Sequence, residues 1–99
     1  MQEKELEARF RERVRAAGGR AYKFVSPGNS GVPDRLVVLP GGHIGFVELK
    51  QQGRRPTKLQ ERQHDILRSL GCCVTVLDRP EDIGKAIDRI REAGAENGI

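Results

Sequence analysis

Asp34 and Glu48 are two carboxylates that the chain can bring together, and Lys50 follows the second by two positions. Two hard oxygen donors can hold a divalent cation, and an ammonium group beside them can orient a water molecule. The stretch that carries them begins Gly31-Val32-Pro33-Asp34, followed by Arg35-Leu36-Val37-Val38-Leu39. After a Pro40-Gly41-Gly42 break comes His43-Ile44-Gly45-Phe46-Val47-Glu48-Leu49-Lys50. Two β-rich runs around a Pro-Gly-Gly turn signal a hairpin.

Fourteen positions separate the carboxylates in sequence, but a hairpin sets the start of its first strand beside the end of its second. Side chains alternate along a strand, so Glu48 and Lys50 share one face and Leu49 takes the other. A three-residue loop of Pro40, Gly41 and Gly42 puts Asp34 opposite Glu48. A two-residue Gly41-Gly42 turn puts it opposite Leu49, because a slip of one residue exchanges the faces. The longer loop, or a bulge of the same effect, is the expectation. The ordinary alternative is a capped turn at Asp34 and an exposed charged pair at Glu48 and Lys50. Against it, Phe46-Val47-Glu48-Leu49 is apolar enough to be buried, and a buried carboxylate without compensation is costly.

Other elements must position these groups. Leu6, Phe10, Val14 and Ala17 form one apolar stripe and predict a helix over residues 3–17, stopped by Gly18-Gly19. Glu7 lies on the inward edge of that stripe and is a candidate third carboxylate, with Glu3 its rival one turn earlier. Arg20 to Val25 alternates as a first strand, with Lys23 facing either solvent or the site. The loop from Ser26 to Gly31 is rich in backbone donors and runs into the Pro33-Asp34 corner, where Ser26 could meet a phosphate. Arg54, Arg55 and Lys58 follow closely on the Glu-Leu-Lys end and suit phosphate contacts. Thr57 and Gln60 fit a capping box at the head of a helix over 57–70, supported by Leu59, Ile66, Leu67 and Leu70. Gln60 either bonds back to the cap or reaches the site, and the site is favoured. His64 on that helix reads as a surface residue, and His43 at the turn is too far from Asp34 to help.

Residues 72–77 read as a buried strand, and Ile83, Ile87 and Ile90 as a last amphipathic helix to about residue 93, with a frayed tail over 94–99. The expected order is therefore α-β-β-β-α-β-α, an α/β chain with a mixed sheet, and 99 residues make one domain spanning 1–99. Eighteen basic against 14 acidic residues leave a net charge of +4, which suits a polyanionic partner. Cys72 and Cys73 are adjacent, poorly placed to bridge each other and without zinc-site spacing. With no apolar leader and no membrane-length run, a cytoplasmic location is expected.

The string Gly31-Val32-Pro33-Asp34-Arg35, Pro40-Gly41-Gly42, Phe46-Val47-Glu48-Leu49-Lys50 and the downstream Gln60 resembles the VRR-NUC (virus-type replication-repair nuclease) branch of the PD-(D/E)xK nucleases. The likeness runs from about Glu3 to Leu77. It implies a restriction-endonuclease-like αβββαβ core flanked by helices, with a C-terminal helix added. It implies a Mg²⁺- or Mn²⁺-dependent deoxyribonuclease, with no further small-molecule cofactor, encoded by a bacterium or by a phage in a bacterial host. Asp34, Glu48, Glu7 and the Leu49 carbonyl would be metal ligands, with Lys50 and Gln60 completing the catalytic set. Lys23, Ser26, Arg35, Arg54, Arg55 and Lys58 would contact nucleic acid. Stand-alone relatives resemble Holliday-junction resolvases, so a homodimer acting on branched DNA is expected. A flap- or nick-directed nuclease is the alternative, as is a non-catalytic DNA-binding module with a degenerate nuclease fold.

Overall fold

The computed structural model describes residues 1–96. Helix α1 (Glu3–Ala16) is followed by strands β1 (Arg20–Lys23), β2 (Arg35–Leu39) and β3 (His43–Leu49). Helix α2 (Lys58–Ser69), strand β4 (Val74–Leu77), a 3₁₀ turn at Pro80–Asp82 and helix α3 (Ile83–Glu96) complete the order. The strands lie β1-β2-β3-β4, antiparallel through the first three and parallel between β3 and β4. This is the expected α/β order and the restriction-endonuclease-like mixed sheet.

The hairpin loop decides the register. Leu39 pairs with His43, so Pro40, Gly41 and Gly42 form the turn. Gly41 and Gly42 have φ of +91° and +80°, a left-handed region that side chains other than glycine resist. From there the ladder runs Val37 with Gly45 and Arg35 with Val47, and one step further sets Asp34 across from Glu48.

Alternation then divides the sheet into two unlike faces. Val37, Leu39, Val47, Leu49 and Leu77 point to one side, where they meet Leu6, Phe10 and Val14 of α1 and Ile83, Ala86, Ile87 and Ile90 of α3. Each large side chain buried there contributes about 1.5–3 kcal/mol, and this layer holds the fold. The opposite face carries Glu48, and α2 lies over it.

The boundaries differ from expectation at element ends. β1 stops at Lys23 and β4 begins at Val74, because the flanking residues leave the ladder. Yet the Phe24 N–H still donates to the Asp34 carbonyl at 2.8 Å and ties the end of β1 to the site. Thr57 is the cap of α2 and not its first residue. Helix α3 continues to Glu96, past the expected end near residue 93. The rest of the expected frayed tail, residues 97–99, lies outside the described residues.

Candidate active site

Asp34 sits just before β2, and its side chain is turned toward the end of β3. The Leu49 N–H donates to Asp34 Oδ2 at 2.8 Å. That bond holds the carboxylate beside Glu48, which is 1% exposed. Burial raises the Glu48 carboxyl to about 8. The adjacent Asp34 carboxylate pushes it the same way; Lys50 pulls it back, and Glu3 adds a small upward effect. The cause is physical: two carboxylates in a poorly hydrated place resist carrying two charges.

Glu48 has three neighbours on the α2 side. Gln60 Nε2 donates to Oε2 at 3.2 Å, and Lys50 Nζ stands 3.9 Å from the same oxygen. Both readings of Gln60 hold together. Its amide oxygen accepts from the Thr57 N–H at 2.9 Å, closing the capping box, while its amide nitrogen reaches Glu48. One side chain therefore locks the start of α2 to the end of β3.

His64 is the third neighbour and corrects the sequence reading. It is 1% exposed, the buried residue of α2, with Nε2 3.6 Å from Glu48 Oε1. Burial, followed by Arg68, lowers its pKa. Of the four apolar residues that support this helix, three face outward and the fourth, Leu67, is half-buried. At 100° per residue, Leu59, Ile66 and Leu70 fall within 40° of one another and nearly opposite His64, and all three are exposed. A helix that covers a carboxylate turns its polar face inward, so the usual inference from an apolar stripe points the wrong way.

The first-helix acids also part company. Glu7 forms an ion pair with Arg35, whose guanidinium also donates to the Ala21 carbonyl at 3.3 Å. Arg35 lies on the sheet face that carries Val37 and Leu39, opposite Glu48, and its side chain is mostly buried. It braces α1 against the sheet and is not a free phosphate contact. Glu3, the expected rival of Glu7, is the α1 acid whose charge bears on Glu48.

The remaining expected contact residues lie on the surface. Lys23, Arg54, Arg55 and Lys58 are exposed. Ser26 is half-buried and accepts a hydrogen bond from Asn29 Nδ2 at 3.0 Å. Beyond Ser26, the loop reaches Gly31, which packs against the main chain of Leu59 and Gln60. His43 stays at the far end of the hairpin, as expected.

The donor set suits a hard cation in part. Glu48 Oε1 is buried with no hydrogen-bond partner, and the Asp34 carboxylate lies next to it. A divalent ion is the partner that offsets two such charges. Among the described residues, no three His, Cys, Asp or Glu side chains gather closely enough to form a metal cluster by themselves. A site here would rest on two carboxylates, with main-chain oxygen and water making up the rest. Among the same residues, no helix is long and apolar enough to cross a membrane.

A four-stranded mixed sheet with helices on both faces, and an Asp and a Glu-x-Lys meeting at one end of its hairpin, defines the restriction-endonuclease-like class. The comparisons with known proteins narrow it. No family model matches the chain. It is 54% identical over 78 residues to p44 of Acyrthosiphon pisum secondary endosymbiont phage 1, a nuclease by provisional assignment, covering 79% of this chain and 84% of that protein. A solved structure described as a VRR_NUC domain superposes with a TM-score of 0.81 at 37% identity, covering 87% of this chain and 94% of the other. The chain belongs to the VRR-NUC family.

Proposed function

We propose that the protein is a metal-dependent DNA endonuclease and that Asp34, Glu48 and Lys50 form its catalytic centre. The observation that carries this reading is the buried, unpartnered Glu48 Oε1 beside the Asp34 carboxylate. Mg²⁺ or Mn²⁺, bound there, would supply charge neutralisation for the crowded phosphate and lower the pKa of an attacking water. Asp34 and Glu48 would be its side-chain ligands. The Leu49 carbonyl is a further candidate, because in an extended strand it leaves on the same side as the Leu49 N–H, toward Asp34. Lys50, on the Glu48 face, orients the water and offsets negative charge during attack. Gln60 keeps Glu48 in place. Glu3 is better placed than Glu7 to take part from α1, since Glu7 is engaged by Arg35.

Arg54, Arg55, Lys58 and Lys23 are the exposed cations that would hold the DNA backbone on either side of the cut, with Ser26 at the loop edge. Branched DNA is the favoured substrate, cut by a homodimer in a bacterial cytoplasm. The exposed Leu59, Ile66 and Leu70 supply apolar surface of the kind that a second copy covers. Supercoiled plasmid, four-way junction, flap and plain duplex incubated with Mg²⁺ or with chelator test the reading. Chelator-sensitive cutting, strongest on the junction, is expected. Retention of DNA without cutting under every condition would transfer the protein to the non-catalytic alternative.

A further inference from the structure

Glu48 Oε1 and His64 Nε2 are both buried, both lack a hydrogen-bond partner among the described residues, and face each other at 3.6 Å. Two such atoms are costly apart, and a closure of roughly half an ångström satisfies both. The other oxygen of the carboxylate is already engaged, by Gln60 Nε2 at 3.2 Å and less closely by Lys50 Nζ at 3.9 Å. Gln60 and His64 lie one turn apart on the same side of α2, so the helix presents two groups to the two oxygens of one carboxylate.

We propose that His64 is a positioning residue, which carries its proton on Nε2, donates it to Glu48 Oε1 and, with Gln60, sets the plane of the carboxylate. This rests on the reading of Glu48 as a cation ligand. A carboxylate held at both oxygens keeps a lone pair of each aimed toward Asp34 and spends no rotational freedom when the cation arrives. The proposal also gives a reason for the burial of a histidine on α2.

The chain has two histidines, so long-range ¹H–¹⁵N spectra of the wild type saturated with Mg²⁺, assigned with His43→Gln, read the His64 tautomer directly with Glu48 as the carboxylate. A proton on Nε2, slow to exchange, is expected. A proton on Nδ1 with Nε2 bare overturns the proposal, and so does direct coordination of the cation by Nε2. Mn²⁺ titrations followed by electron paramagnetic resonance give the second readout. His64→Leu is expected to weaken Mn²⁺ binding by roughly tenfold or more. His64→Gln, whose amide N–H can take the place of the Nε2 proton, is expected to stay within about threefold of wild type. Equal binding by both variants and the wild type overturns the role. Should the leucine variant not fold, the wild-type tautomer and the glutamine variant still decide it. Glu48→Gln is the separate control: undiminished Mn²⁺ binding there removes the cation site itself, whichever nitrogen of His64 holds the proton.

Discussion

Gln60 bonds Thr57 and Glu48 at once, its oxygen closing the cap of α2 and its nitrogen reaching Glu48 Oε2 at 3.2 Å. The link makes helix α2 part of the site, although α2 adds little to the hydrophobic core.

The pH response of the metal-free protein follows from Glu48. Its carboxyl is raised to about 8 in the fold, against about 4.3 in an unfolded chain. Between those values the native state binds the extra proton, so stability is highest at the acid end and falls as pH rises through 8. Thermal melts in chelator from pH 5.5 to 9 are expected to show the midpoint dropping with pH. Saturating Mg²⁺ is expected to remove most of the drop, and Glu48→Gln to flatten it. A midpoint that rises steadily to pH 9 in chelator would contradict the assignment of this shift.

Gly31 couples the loop to α2. An added Cβ would lie 2.8 Å from the Leu59 carbonyl oxygen and 3.1 Å from the Gln60 nitrogen, at a φ of +90°. Gly28 has a similar φ of +82° but meets nothing within 4 Å. Gly28→Ala therefore carries the backbone penalty alone, about 1–2 kcal/mol. Gly31→Ala is expected to destabilise further and to lower cleavage by roughly tenfold through displacement of Gln60. Equal melting and equal cleavage for the two variants would show that the contact has no consequence.

Arg54 and Arg55 leave the end of β3 into solvent. Replacing both by alanine is expected to weaken DNA binding and reduce the salt slope of log K by about 2, near 0.9 for each lost phosphate contact. Fluorescence anisotropy at several salt concentrations measures it. An unchanged slope would remove these residues from the interface.

Much of this was legible in the residues. The three-residue Pro40-Gly41-Gly42 loop, expected over a two-residue Gly41-Gly42 turn, puts Asp34 across from Glu48, since register propagates from the turn. The order of elements followed from periodicity and punctuation. The orientation of α2 was legible through Gln60, whose favoured reading turned it toward the site. The burial of His64 was not legible, because only the carboxylate beneath α2 draws a histidine inward beside Gln60. The partner of Arg35 was hidden for a similar reason: strand alternation puts it on the α1 face, but which acid meets it depends on how α1 crosses the sheet. Glu3 and Glu7 lie close together around the helix, so sequence pattern alone could not separate the acid near Glu48 from the one bound to arginine.

In the proposed mechanism, Asp34 and Glu48 act together on a cation at the scissile phosphate. The direct measurement is cleavage of junction DNA by Asp34→Asn and Glu48→Gln in saturating Mg²⁺, with DNA affinity measured in parallel. Cleavage is expected to fall by roughly 10³ or more in each variant, while affinity stays within about threefold because the phosphate contacts lie elsewhere. Full cleavage by either folded variant would contradict the account.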